Sequence, residues 1–461
     1  MTSHVLKRWE PENTAFWQQT GSRIAHRNLW ISIPALMLAF SIWMLWSVVV
    51  VNLDLAGFQL SKNQLFWLSA MPALSGATLR VFYSFLVPIF GGRRWTALST
   101  ASLLVPALGM GFALRDPSTS YPMLLALALL CGLGGGNFSS SMANISFFFP
   151  KSRKGIATGL NAGIGNLGVS IAQFCVPLAI SASMFGALGG EPQRYTIDGV
   201  QHSIWLQNAG FMWVPLILAS SLAAWFGMND IADARASFSE QAIIFKRKHN
   251  WLMCWLYIGT FGSFIGFSAG FPMLTKTLFP EINPTNYAFL GPLVGSLTRP
   301  LGGWVSDKIG GAHVTLYTFI AMILAVLGVL AFTPGQGDAG SFTGFLVMFI
   351  LLFGFAGLGN GSTFRMIPVI FQTARLNDAR GKGEQAEKQA LIDASKESAA
   401  VLGFSGAIGA YGGFFIPRSF GTSLDLTGSA SAALLVFIGF YVTCVVITWW
   451  FYARSRAATP C

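Results

Sequence analysis

The feature that most constrains this chain is a succession of twelve apolar stretches, each long enough to cross a lipid bilayer and each ended by charged or turn-forming residues. They occupy 29–51, 65–90, 95–114, 121–149, 155–185 and 204–228, and after a polar stretch 251–274, 287–305, 314–332, 342–371, 399–416 and 430–452. A helix needs about 20 apolar residues to span the hydrocarbon core, where every backbone N–H and C=O must be satisfied inside the element. The pattern therefore predicts an all-α membrane protein of 12 transmembrane helices in two six-helix bundles, at 29–228 and 251–452. The expected remainder is cytoplasmic: tails at 1–28 and 453–461, a linker at 229–250 and a charged loop at 373–398. Composition agrees, because with 53% hydrophobic and 10% charged residues the chain has too little polar surface to cover a single water-soluble core. The first 28 residues lack an apolar segment followed by a small-residue cleavage site, so no signal peptide is expected.

Charge placement supplies the orientation. Of 29 Lys and Arg, 21 fall on the side holding both ends, five (Lys62, Arg115, Arg194, Lys276 and Arg418) on the other, and three inside spans. Short cytoplasmic loops collect positive charge, so both termini are expected in the cytoplasm. The net charge of +11 is thereby a matter of topology, and no nucleic-acid partner is expected.

The two halves repeat each other. Arg80 stands eleven residues before Gly91, with Gly92 and Thr96 following; Arg299 stands eleven before Gly310, with Gly311 and Thr315 following, at an offset of 219. GGGNFSS and GLGNGST align Gly134, Gly136, Asn137 and Ser139 with Gly357, Gly359, Asn360 and Ser362 at an offset of 223. GLNAGIGNLG and GFSGAIGAYG align Gly159, Gly165 and Gly168 with Gly403, Gly409 and Gly412 at an offset of 244. A duplicated six-helix unit with one cytoplasmic insertion explains all three. GIGNLG also satisfies the dinucleotide fingerprint, but no strand precedes it. Small residues three and four apart on a membrane helix serve close helix approach instead. The glycines Gly159, Gly163, Gly165, Gly168, Gly403, Gly409 and Gly412 are thus expected to let spans five and eleven run, and slide, against their neighbours.

Arg80 and Arg299 lie roughly 15 Å from the cytoplasmic ends of their spans, near the middle of a slab of about 30 Å. An arginine at that depth costs at least about 2.5–3.5 kcal/mol and so faces a cavity or a partner. All 18 Asp and Glu are expected in tails or loops and all five His at or beyond span ends, leaving an external anion as the partner. The guanidinium fork suits a planar oxyanion, which can accept two parallel hydrogen bonds. Arg365 lies only about six residues from the cytoplasmic end, where it can snorkel; its expected role is structural or vestibular. Cys131, Cys175, Cys254, Cys444 and Cys461 show no CxxC or metal spacing, no nucleophile–base pair stands out, and neither cofactor, metal site nor enzymatic activity is expected.

The strings RNLWISIPALMLAFSIWMLW, PIFGGRRWT, SSMANISFFFP, GLNAGIGNLGVS, TFGSFIGFSAGF, GNGSTF and GGFFIP resemble the nitrate/nitrite porter family (NarK/NarU type) of the major facilitator superfamily, over nearly the whole chain. The resemblance implies a multi-pass protein of the bacterial inner membrane whose substrates are nitrate and nitrite. It implies that Arg80 and Arg299 clamp the anion, that Phe138 and Tyr257 stack on or cap its plane, and that Asn166 and Phe261 lie nearby. GGWVSDKIGG, with Asp307 and Lys308, is similar to the superfamily's gating-loop signature; its counterpart GGRRW lacks the acid. A monomer working by nitrate/nitrite antiport is the expectation, with proton symport, an anion channel and a non-transporting sensor as alternatives. Symport usually uses an intramembrane carboxylate or His, and the spans offer none.

Overall fold

The computed structural model describes residues 4–197, 199–232, 242–335, 339–457 and 459–461. Its helices in chain order are α1 (Thr14–Val49), α2 (Lys62–Tyr83), α3 (Gly92–Ala113), α4 (Tyr121–Phe148), α5 (Lys151–Ile180), α6 (Asn208–Gly227), α7 (Lys248–Leu278), α8 (Leu290–Ile309), α9 (Gly311–Phe332), α10 (Phe342–Ala379), α11 (Glu384–Thr427) and α12 (Ser431–Ala453). Eleven of them are long and apolar enough to cross a membrane, and the chain is a multi-pass membrane protein. The exception is α8, a helix of 20 residues whose hydropathy is lowered by Arg299, Asp307 and Lys308.

The chain folds into two compact units. One comprises Met1–Arg235 with Ser268–Leu293 and Gly413–Gly421; the other comprises Ala236–Phe267, Val294–Gly412 and Thr422–Cys461. The first unit thus takes in short pieces of α7, α8 and α11 that sequence assigns to the second bundle. They are tied to it by Lys276 Nζ on Asp54 Oδ1 at 2.6 Å, Arg418 Nη1 on Asn63 Oδ1 at 2.6 Å, and Gln173 Nε2 on the Ser268 carbonyl at 2.8 Å.

Three segments expected as tail, linker and loop carry structure of their own. In the N-terminal segment 1–28, β1 (Val5–Leu6) pairs in parallel with a short strand at Asp230–Ile231, and α1 begins at Thr14, capped by Asn13. The linker holds that strand and a 3-10 turn at Ala242–Lys246; its part at 233–241 lies outside the described residues. The expected loop 373–398 is mostly helix, because EQAEKQALIDASKES is built from strong helix formers. Its Ala390, Ala394, Glu397, Ser398 and Val401 recur at helical spacing on a buried face, and Glu384 pairs with Lys388 one turn on. The sequence reading took high charge for loop. The last residues are not free either: the Ala312 N–H donates to the Cys461 carbonyl at 2.9 Å, and burial pushes the Cys461 thiol up to about 12.

A hairpin absent from the sequence reading joins α5 to α6, with Gln193–Ile197 antiparallel to Val200–Ile204.

Candidate anion site

In the first unit the geometry starts from the glycines of α4. A Cβ on Gly134 would meet the Ala39 carbonyl oxygen at 2.1 Å, and one on Gly135 would meet Gly76 Cα at 2.8 Å. Only glycine lets α1 and α2 come this close to α4. That approach puts the Gly135 carbonyl where Arg80 on α2 reaches it, Nε donating at 2.7 Å. Arg80 is wholly buried. Its guanidinium carbon stands 4.7 Å from the Phe138 ring centroid, 4.8 Å from Trp43 and 5.8 Å from Phe40. Phe138, expected to stack on the anion, stacks on the arginine here and meets Phe40 edge-on at 6.0 Å. Asn166 on α5 is buried, and its Oδ1 has no hydrogen-bond partner among the described residues.

The second unit uses the same device with different contacts. A Cβ on Gly357 would meet the Gly295 carbonyl at 2.1 Å, and one on Gly361 the Arg299 carbonyl at 2.1 Å, so α10 lies directly on α8. Arg299 is buried; Nη2 donates to the Tyr257 hydroxyl at 3.4 Å, and the guanidinium carbon stands 5.4 Å from the Phe364 ring. Its Nη1 is buried without a hydrogen-bond partner, and no carboxylate pairs with it, among the described residues. Tyr257 and Phe261 stack at 5.5 Å where α7 widens to a π turn over Ile258–Gly262, a distortion frequent at functional sites.

Each unit therefore presents a buried guanidinium framed by aromatic rings on a glycine-cleared helix crossing. Residues 31–383 match the Major Facilitator Superfamily sequence profile. The chain is 52% identical to the nitrate/nitrite transporter NarU of Salmonella typhimurium and of Escherichia coli, in each case over 98% of this chain and 97% of the relative. It is 43% identical to the probable nitrate/nitrite antiporter NarK2 of Thermus thermophilus, again over 98% and 97%. The chain belongs to the nitrate/nitrite porter family of the major facilitator superfamily. Among solved structures this porter is similar to a bacterial homologue of the human lysosomal transporter Spinster in an inward-facing, occupied conformation. That match has a TM-score of 0.57 and 14% identity, covers 93% of this chain and 96% of the other, and supports the fold alone.

The porter's seven flagged glycines divide. A Cβ on Gly168 would meet the Met37 carbonyl at 2.0 Å, one on Gly412 would meet Gly262 Cα at 2.4 Å, and one on Gly409 or Gly165 would press on Tyr257 or Leu36. Gly159, Gly163 and Gly403 meet nothing within 4 Å, so close packing does not explain them. In the last turn of α8, where the sequence suggested a loop, Asp307 pairs with Arg365, both about half exposed, and Lys308 Nζ sits 3.7 Å from the Trp304 ring centroid. Arg365 is thus held by a carboxylate, which offsets the positive potential it brings to that end.

Sequence reasoning missed Trp43, Phe40 and Phe364, which lay unmarked in apolar runs. It also missed two buried carboxylates. Asp230 accepts from Arg93 Nε at 3.3 Å and from the Arg93 backbone N–H at 2.8 Å, while Glu397 holds both Arg247 and Arg375. The signal available for both was an acid within two residues of an expected span end, at 228 and 399.

Proposed function

We propose that this porter carries nitrate and nitrite across the bacterial cytoplasmic membrane by exchange, with Arg80 and Arg299 gripping the anion. The observation that carries the reading is Arg299. A buried guanidinium whose Nη1 is unpartnered among the described residues, beside a tyrosine hydroxyl and an aromatic face, is built to donate two N–H···O bonds to an anion from outside the protein. Phe138, Tyr257, Phe261 and Asn166 shape the two half-sites. The relatives' names, nitrate/nitrite transporter and antiporter, supply the substrate class.

In this reading α8 is a twelfth span, both termini are cytoplasmic, and the working form is a monomer in the lipid bilayer. Asp307 and Lys308 gate the cytoplasmic end, and the glycines of α5 and α11 are sliding contacts. Exchange follows from electrostatics: an empty carrier would have to reorient with two like charges buried in its guanidiniums, whereas one bound anion offsets part of that cost. Counterflow in proteoliposomes tests it, with labelled nitrate outside and nitrite, chloride, sulfate or no anion inside. Nitrite inside should accelerate uptake strongly; equal uptake into anion-free vesicles would overturn the exchange reading.

A further inference from the structure

The two repeats differ at a buried seam between the third and fourth helices of each half. In the second unit the Thr315 and Ser362 hydroxyls hydrogen-bond directly at 2.7 Å, closing α9 on α10. Their sequence counterparts in the first unit are Thr96 and Ser139. No hydrogen bond joins these two among the described residues, and Ser139 Oγ, though buried, has no partner there. Between α1, α3 and α4 there is instead a cavity of about 10 Å3.

Its wall is polar. Two of its groups, Asn137 Oδ1 and Thr100 Oγ1, are buried with no hydrogen-bond partner among the described residues. Asn137 Nδ2 reaches the Ser99 carbonyl only at 3.4 Å, a stretched bond. On another side, Ser141 Oγ lies 2.9 Å from Ser32 Oγ and accepts from Asn161 Nδ2 at 2.8 Å. Buried polar atoms are nearly always satisfied, by protein or by ordered water. One water needs roughly 10–15 Å3 of such space and makes about three hydrogen bonds. The wall holds no carboxylate to favour a cation and no basic side chain to hold an anion.

We propose that the first unit carries a resident water, bound by Asn137 Oδ1 and Thr100 Oγ1, between the same two helices of the repeat that the second unit joins by a direct hydroxyl bond. The water donates to the asparagine oxygen and to the threonine oxygen, and accepts from a neighbouring serine hydroxyl. It ties α3 to α4 one residue before Phe138, the ring that faces Arg80. The first repeat is thus closed through a molecule that can reorient, and the second through a direct bond.

A high-resolution structure of the purified porter and its thermal melting test this together. Density for one water within hydrogen-bond distance of both Asn137 Oδ1 and Thr100 Oγ1 is expected. An empty cavity, or a site contracted onto a direct Thr96–Ser139 bond, would overturn the proposal. In melting, Thr100→Val, which keeps the shape and removes the hydroxyl, should lower Tm by about 2 °C. Adding Asn137→Leu should cost less than the two single effects summed, because both residues hold the same water; additive effects would count against it. Replacing sodium by choline should leave the wild-type Tm unchanged, whereas a sodium-dependent rise would make the site a cation site and overturn the assignment. If either variant fails to fold, the wild-type density and the choline comparison still decide.

Discussion

Arg299→Lys isolates the geometry of the grip from its charge. Lysine keeps the positive charge but presents one ammonium on a flexible stem, so it cannot bond Tyr257 and the anion from fixed, coplanar donors as the guanidinium can. In the structure Nη2 is engaged with Tyr257 Oη at 3.4 Å and Nη1 is the unpartnered donor. The anion is therefore expected to gain two N–H···O bonds from the arginine and at most one from a lysine. A hydrogen bond to a charged group contributes about 1.5–3 kcal/mol. Losing one corresponds to a roughly 10- to 150-fold weaker anion affinity at about 1.4 kcal/mol per tenfold. Counterflow of labelled nitrate at low external concentration should fall in proportion, while insertion and expression stay as in the wild type. Tyr257→Phe should cost less than tenfold, since its bond to Arg299 is long. Measured affinities from nitrate-dependent thermal shifts would accompany the flux. Exchange and affinity within threefold of wild type for Arg299→Lys would refute the planar two-point grip.

Three further outcomes are expected. An acidic exterior alone should drive almost no nitrate into nitrite-free vesicles; strong uptake under that gradient would favour proton coupling over exchange. Gly168→Ala and Gly412→Ala place a methyl against backbone at 2.0 Å and 2.4 Å and should lose exchange, whereas Gly159→Ala and Gly403→Ala meet nothing within 4 Å and should be tolerated. Equal flux in all four variants would remove the close-approach argument. Glu397→Gln leaves Arg247 and Arg375 without their carboxylate; both are partly exposed, so the expected destabilisation is about 1–3 kcal/mol, less than for a fully buried pair. An unchanged melting temperature would mean that solvent already screens the pair.

The helices and the arginines were legible because their signals are local. An apolar run of about 20 residues has few alternatives in water or lipid, and a lone arginine inside one stands out. Aromatic neighbours were not legible in the same way: Trp43 and Phe364 sit in runs where most residues are large and apolar, and only the fold shows which rings face a guanidinium. The helix through 384–398 was misjudged because charge density outweighed its helix-forming residues, although the buried alanines at helical spacing were readable. The glycine strings were read as one group, yet Gly168 and Gly412 lie on neighbouring backbone while Gly159 and Gly403 do not. Spacing along one helix cannot say which face has a neighbour.

The distribution of carboxylates carries the last step. Arg93, Arg365, Arg247 and Arg375 each pair with an acid: Asp230, Asp307, or Glu397 for the last two. Arg299 has none among the described residues; its neighbours are a phenol and a ring face. A carboxylate there would satisfy the guanidinium so well that a weakly hydrated monovalent anion could not compete for it. Leaving the arginine with no neighbours at all would make its burial too costly. Ring faces lie between these limits, since a cation–π contact contributes about 0.5–2 kcal/mol and occupies none of the N–H donors. Arg80, against Trp43 and Phe138 with Nε on the Gly135 carbonyl, follows the same logic by a different route. Aromatic framing thus offsets part of the desolvation of each of the two most deeply buried arginines, and at Arg299 it leaves Nη1 as the donor that the proposed anion would take.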